Sequence, residues 1–180
     1  MNGNVIRTWI RNWWADRNAT AAVEMVLVFP LMLTMLMGVD ELGTGIVTDQ
    51  KCIAASQMVA DLIARNNTVT TAMLDDYINA GKLALDPYST ETMGFDIVSI
   101  QYDVNNNPLE VWRYTVNMTP NNDGITRSIG LGTHGDGALA VTITYNYTPP
   151  ISSFIVKNIP MEEIAFSRGR QTAVIACTGC

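Results

Sequence analysis

One long apolar run constrains this 180-residue chain more than any other feature. Residues 19–39 read ATAAVEMVLVFPLMLTMLMGV, in which 16 of the 21 residues are apolar and Glu24 carries the only charge. A helix rises about 1.5 Å per residue, so this run spans roughly 30 Å, the thickness of a bilayer core. Pro30 lies inside the run, and membrane helices tolerate proline better than soluble helices do. The sequence therefore predicts a membrane helix near the N-terminus.

The charges on either side of this run predict its orientation. Three arginines and one acidic residue precede the run, and the nearest charged residues after it are acidic. These residues are Arg7, Arg11, Arg17 and Asp16 on one side, and Asp40, Glu41 and Asp49 on the other. Because positive charge stays cytoplasmic, we expect the N-terminus inside and residues 40–180 outside. Trp9, Trp13 and Trp14 fit an interfacial anchor before the span.

Three interpretations of the run compete. A secretory signal peptide has a shorter apolar region followed by a small-residue cleavage site, and no A-x-A motif follows here. An uncleaved signal anchor is the simplest alternative. The third interpretation starts from Glu24, because a carboxylate inside a membrane helix is costly and indicates a function.

The residues around Glu24 resemble a known signal. Residues 17–25, RNATAAVEM, are similar to a class III signal, in which a basic leader ends in a small residue and glutamate follows at mature position five. They resemble the start of TadE-like proteins, the minor pseudopilins of tight-adherence (Flp) pilus systems. Ala19 stands where glycine is usual, and Met25 where an aromatic residue is usual. The apolar run also resembles that family at Leu31, Leu33, Leu36, Gly38, Glu41 and Gly43. In the C-terminal part the resemblance lies in residues 141–147, the two prolines at 149–150 and residues 167–170.

This resemblance implies how the protein is processed and where it works. A prepilin peptidase would remove residues 1–19 between Ala19 and Thr20. The mature protein would lie in the bacterial inner membrane with a cytoplasmic N-terminus and a periplasmic main domain, or travel outside with the pilus. Its partners would be sibling minor pseudopilins, the major pilin, the inner-membrane assembly platform and the lipid bilayer. Glu24 would pair with the new α-amino group of Thr20, one turn away, or with that of a neighbouring subunit.

Periodicity predicts the organisation of the exported part. Apolar residues at helical spacing continue the first helix from the membrane part, 20–39, to about Arg65. A second helix is expected from Thr71 to Leu85, where Asp86-Pro87 ends it.

Beyond the second helix the apolar period becomes two. Phe95–Val104, with Val98, Ile100, Tyr102 and Val104 on one face, and Leu109–Thr119 predict a hairpin. Residues 120–137 predict a long loop, and Leu139–Tyr147 the clearest strand. The remaining candidates are the ambiguous stretch Phe154–Ile159 and the final strands Ile164–Arg168 and Thr172–Cys177. The expected fold class is α+β, pilin-like, with an antiparallel sheet packed on the long first helix.

The three cysteines predict a disulfide in an exported domain. Cys177 and Cys180 form one C-x-x-C motif, and Cys52 lies alone on the first helix. A single copy without a following helix gives little support to a redox or zinc site. An oxidising compartment favours a bridge, either from Cys52 to one of the others or locally between Cys177 and Cys180.

Two further motifs have simpler explanations than a binding site. His134 lies in a glycine-rich stretch, 130–137, that lacks the Gly-Lys-Ser/Thr ending of a phosphate loop and predicts a surface loop. The D-x-N-x-N pattern at 103–107 resembles the start of a calcium loop. Pro108 replaces the required glycine and Tyr114 the bidentate glutamate, so a hairpin turn is favoured.

Composition excludes several classes of function. The chain has 17 acidic and 11 basic residues, which argues against nucleic-acid binding. One histidine and three cysteines are too few for most histidine-based triads and metal sites. We therefore expect no cofactor and no enzymatic activity. The alternative to a minor pseudopilin is an uncleaved, signal-anchored periplasmic binding or sensor domain.

Overall fold

In the computed structural model of this chain, residues 7–12, 18–150 and 158–180 are described. Residues 7–12 are helical, and a 47-residue helix, α1, runs from Asn18–Ala64. The chain divides into two units, Met1–Gly43 and Thr44–Cys180, so that α1 begins in the first unit and ends in the second.

The second unit is an α+β domain. After α1 its elements are β1 (Thr68–Thr70), α2 (Thr71–Leu83), β2 (Gly94–Tyr102), β3 (Pro108–Val116), α3 (Asp123–Arg127), β4 (Gly137–Tyr147), β5 (Ile159–Ser167) and β6 (Ala176–Thr178). Four strands form an antiparallel sheet in the order β3-β2-β4-β5. The two short strands β1 and β6 pair in parallel as a separate sheet.

The C-terminal part of α1 supplies one side of the main core. Its buried residues recur at helical spacing and form one face: Cys52, Ala55, Val59, Ala60 and Ile63. They belong to one cluster with apolar residues of the central strands, among them Phe95, Ile97, Leu139, Val141 and Ile143. Burial of this apolar face in the core stabilises the domain.

Helix α2 packs on α1 through a glycine. Its N-terminus is capped by the Thr70 hydroxyl, which accepts a hydrogen bond from the N–H of Met73 at 3.3 Å. Leu74, Ile78 and Gly81 are its buried residues. A Cβ atom on Gly81 would lie 2.6 Å from Cγ2 of Val59, so the two helices approach each other more closely than any larger residue permits.

The other face of the sheet is covered by the segment between β3 and β4. Val98, Ile100 and Tyr102 form a second cluster with small residues of β4, and Ile125 of α3 packs against it. The Tyr102 hydroxyl donates a hydrogen bond to the carbonyl of Ser128 at 2.8 Å. The central strands are therefore buried on both faces.

A buried carboxylate fixes this covering segment to the sheet. Asp96 is 1% exposed, and its oxygens accept hydrogen bonds from the Thr115 hydroxyl at 2.9 Å and from the N–H of Asn121 at 3.3 Å. The Nε of Arg113 lies 3.6 Å from the same carboxylate, and another guanidinium nitrogen of Arg113 donates to Asn122. A buried charge is tolerated because it has these partners.

The C-terminal segment caps the end of α1. The N–H of Arg170 donates to the carbonyl of Ala64 at 2.9 Å, which satisfies one of the carbonyls left unpaired in the last turn. The Arg170 guanidinium also pairs with the carboxylate of Asp61. Further along, the indole N–H of Trp112 donates to the carbonyl of Ile175 at 2.7 Å.

Most predicted elements are confirmed. The fold class is α+β, α1 ends at Ala64 where about Arg65 was expected, and α2 and the β2–β3 hairpin lie in the predicted places. Leu139–Tyr147 forms most of β4. Within the ambiguous stretch Phe154–Ile159, residues 154–157 lie outside the described part, and Ile159 begins β5, which extends the predicted strand Ile164–Arg168.

Four sequence predictions are wrong in detail. The long loop at 120–137 contains helix α3. The first predicted strand ends at Tyr102, because Asp103 opens a turn and leaves Val104 74% exposed. The second ends at Val116, because Asn117 adopts a positive φ of 54°. The predicted strand Thr172–Cys177 is instead β6, which pairs with the unpredicted β1, because the preceding residues leave the sheet to cap α1.

The close approach at Gly81 generates a stability prediction. Gly81→Ala should lower the free energy of unfolding by about 1–3 kcal/mol, since overpacking outweighs the gain in helix propensity of about 1 kcal/mol. The measurement is guanidinium unfolding of the full chain in detergent, followed by circular dichroism. Gly43→Ala is the matched control, because a Cβ there meets nothing within 4 Å. Equal stability of Gly81→Ala and the wild type would contradict the packing described.

Candidate processing and assembly segment

The first half of α1 is apolar on every side. Large apolar side chains from Val23 to Val47 are exposed around the whole helix, among them Leu27 at 73%. Between Glu24 and Asp40 the sequence contains no charged residue. Among the described residues, α1 is the one helix long and apolar enough to cross a membrane, judged by length and composition. A helix that is apolar all round is suited to lipid rather than to water.

The predicted processing residues lie at the start of this helix. Thr20, Glu24 and Met25 are exposed residues of α1, and Ala19 belongs to the helix although its side chain is outside the described part. Thr20 and Glu24 are four positions apart, so their side chains lie on the same helical face. The bond between Ala19 and Thr20 lies beside Asn18, the first residue of α1.

Most of the predicted leader lies outside the described residues. This holds for 1–6 and 13–17, which include Asp16, Arg17, Trp13 and Trp14. Trp9, in the helical stretch 7–12, is exposed.

The structure contains one of the two predicted kinds of disulfide. Cys177 and Cys180 are bridged, with their Cα atoms 5.8 Å apart. Cys52 is a free thiol, 1% exposed, and burial together with the nearby carboxylates of Asp49 and Glu163 raises its pKa to about 11. The alternative bridge from Cys52 to the C-terminal segment is therefore wrong, because Cys52 faces the core beneath the sheet.

Two acidic residues that the sequence did not predict to be neighbours, Asp49 and Glu163, meet beside Cys52. Burial raises the pKa of Glu163 on β5 above its usual range. The charge of Asp49 on α1 and a hydrogen bond with it raise this pKa further, and Arg127 opposes the shift. Asp49 and Glu163 are more than 100 residues apart in sequence, so no local sequence pattern indicates that they meet.

The D-x-N-x-N motif forms a turn. One oxygen of the Asp103 carboxylate accepts hydrogen bonds from the N–H groups of Asn105 and Asn107, each at 2.8 Å. These bonds, the one from Asn107 first, hold the pKa of Asp103 below its usual range. Asn106 adopts a positive φ of 63° and accepts a hydrogen bond from the N–H of His134. Among residues 7–12, 18–150 and 158–180, no cluster of three or more metal-ligating side chains occurs.

The meeting of Glu163 and Asp49 predicts a pH dependence of stability. A carboxyl whose pKa is raised in the folded state contributes stability below its unfolded pKa, near 4.5, and loses this contribution as pH rises through the folded pKa. Glu163→Gln removes the titrating group and should gain stability over the wild type as pH rises from about 4 to about 8.

Urea unfolding of the full chain in detergent at several pH values tests this prediction. Glu162→Gln is the matched control, because Glu162 is exposed and neighbours Glu163 on the same strand. Stability curves that run parallel for Glu163→Gln and the wild type across this pH range would contradict a raised pKa of Glu163 in the folded state.

Comparison with known protein families finds a match for one stretch of the chain. This stretch contains the first half of α1 and part of its buried half. The model of the family described as TadE-like protein matches residues 19–61. No curated protein and no solved structure matches the chain. The resemblance of the tail at 141–147 and 167–170 lies outside the matched region and stays a prediction. The resemblance predicted from the N-terminal residues is confirmed, because residues 19–61 are similar to the TadE-like family.

Proposed function

We propose that this protein is a minor pseudopilin that helps to assemble or prime a tight-adherence (Flp) pilus. The observation that carries the proposal is the single helix α1, Asn18–Ala64, which is apolar and exposed in its first half and buried under a sheet in its second. The match to the TadE-like family covers both halves and supports a structural role among pilus components.

The proposed topology follows from charge and length. Residues 20–39 cross the inner membrane, the arginine-bearing leader stays in the cytoplasm, and residues 40–180 form the periplasmic domain. From Asp40 onward the chain carries 15 acidic and 8 basic residues, a balance opposite to that of the leader. After assembly the protein either stays at the base of the pilus or leaves with the fibre.

The proposed processing step is removal of the leader by a prepilin peptidase. The cut between Ala19 and Thr20 creates an α-amino group on Thr20, one helical turn from Glu24. Thr20 is an exposed residue of α1, which supports access of the peptidase to this bond.

Glu24 is the proposed assembly residue. A carboxylate among lipid tails is costly unless a positive charge is close, and the new α-amino group supplies one. Pairing within one subunit and pairing with a neighbour both satisfy Glu24. Pairing with a neighbour would also set the register of packing along α1 against sibling pseudopilins and the major pilin, next to the inner-membrane assembly platform.

The cleavage step predicts the mass of the mature protein. Expressed with a prepilin peptidase, the purified chain should begin at Thr20, as measured by intact-mass spectrometry. Ala19→Gly should be cleaved at least as fully, whereas Ala19→Leu should remain at full length, because the site requires a small residue. An uncleaved wild-type chain beginning at Met1 would instead support the signal-anchored binding or sensor domain.

The charge pairing predicts a separation of processing from assembly. Glu24→Ala should be cleaved normally but should lose association with sibling subunits, because it leaves the α-amino group unpaired in lipid. Loss of such a pair costs about 3 kcal/mol, or roughly a hundredfold in an association constant. The measurements are the intact mass, co-purification with sibling pseudopilins and the yield of surface pili.

Two variants make this test specific. Glu24→Asp keeps the charge and should retain part of the assembly. Asp40→Asn removes a carboxylate just beyond the apolar segment and should leave assembly within about twofold of the wild type. Normal piliation by Glu24→Ala would overturn the assigned role of Glu24 without affecting the assignment of the cleavage site.

A further inference from the structure

The disulfide bridge lies within one short segment. Cys177 belongs to β6, and Cys180 follows it by three positions. The stabilisation by a disulfide falls as the closed loop becomes shorter, so this bridge contributes little by restricting the unfolded chain. It also joins the segment to no other element of the fold.

Other contacts already hold this segment in place. Cys177 lies opposite Val69 in the β1–β6 pair, and the N–H of Ala176 donates to the carbonyl of Asn67 at 3.1 Å. Ile175 is buried, and its carbonyl accepts the hydrogen bond from Trp112. The position of β6 therefore does not depend on the bond between the two sulfur atoms.

The two bridged cysteines differ in exposure. Cys180 is exposed, whereas Cys177 is partly buried and packs against the main core. A thiol in solution therefore reaches Cys180 more readily than Cys177. Attack at Cys180 makes Cys177 the leaving group, and Cys177 remains three residues away.

The third cysteine does not take part. Cys52 is buried under the sheet, and its raised pKa keeps it in the unreactive thiol form at neutral pH. Disulfide exchange in the folded protein is therefore confined to the C-terminal pair.

We propose that the Cys177–Cys180 bridge is a thiol–disulfide exchange site for a cysteine of another protein chain. The incoming thiolate attacks Sγ of Cys180, a new S–S bond forms, and the bond between the two sulfur atoms of the bridge breaks. Cys177 leaves as a thiolate and takes a proton from water. The number of disulfide bonds is unchanged, so no external oxidant is needed, and attack by Cys177 on the mixed disulfide reverses the link.

The first test measures access to the bridge in the folded protein. The full chain in detergent is treated with reduced glutathione at about pH 8, quenched with acid and alkylated for mass spectrometry. The bridge should open at a rate within about tenfold of that for the same chain in guanidinium. Circular dichroism should stay unchanged, and Cys52 should remain unlabelled until the chain unfolds.

The second test uses a macromolecular thiol and identifies the attacked sulfur. A thioredoxin-type protein whose resolving cysteine is replaced by serine should form a mixed disulfide, and peptide mapping should place it on Cys180. Oxidised glutathione should modify Cys177→Ser about tenfold faster than the matched variant Cys180→Ser, which keeps only the partly buried thiol.

Several results would overturn the proposal. One is a bridge that opens only when the chain unfolds, at a native rate more than about a hundredfold below the unfolded rate. Others are equal reactivity of the two serine variants, or reaction with glutathione but not with the protein thiol. The wild-type measurements stand even if a variant fails to fold, and none of them depends on the proposed pilus role.

Discussion

The domain depends on one contact, the packing of the second half of α1 against the four-stranded sheet. The buried face from Cys52 to Ile63 belongs to the same core cluster as the apolar residues of the central strands. Helix α2 then packs against this same helix through Gly81, and the C-terminal segment caps its end. Without α1, these three parts of the structure would lose the surface on which they meet.

A single helix serves two different environments because its side-chain pattern changes along its length. The first half is apolar on all sides, and the second half has a buried face and a polar face. The change occurs around Thr44, which is also where the second unit begins. One continuous set of backbone hydrogen bonds runs through both halves, so no helix end with unpaired backbone groups occurs where the side-chain pattern changes.

The elements that were predicted correctly are those that local sequence signals or apolar periodicity indicate. The apolar run, the end of α1 near Arg65, helix α2 and the strand Leu139–Tyr147 all follow from spacing and from punctuation such as Asp86-Pro87. The missed features depend on contacts between distant residues. Strand β1 exists because Ala176–Thr178 pairs with it, and helix α3 because the outer face of β2 requires a cover. The meeting of Asp49 with Glu163 likewise has no local signature. For the candidate site, the resemblance to the TadE-like family was predictable from the N-terminal residues, whereas the choice of disulfide partner required the position of Cys52 in the core.

The cap on α1 has a consequence for the order of events during biosynthesis. The carbonyl of Ala64 accepts a hydrogen bond from the N–H of Arg170, and the carbonyl of Asn67 accepts one from the N–H of Ala176. In both cases the donor is synthesised more than 100 positions after the acceptor. The apolar segment has left the ribosome and can enter the membrane long before those partners exist. The domain can therefore close only after residue 176 has been made, so the apolar segment is available to a membrane well before the domain folds.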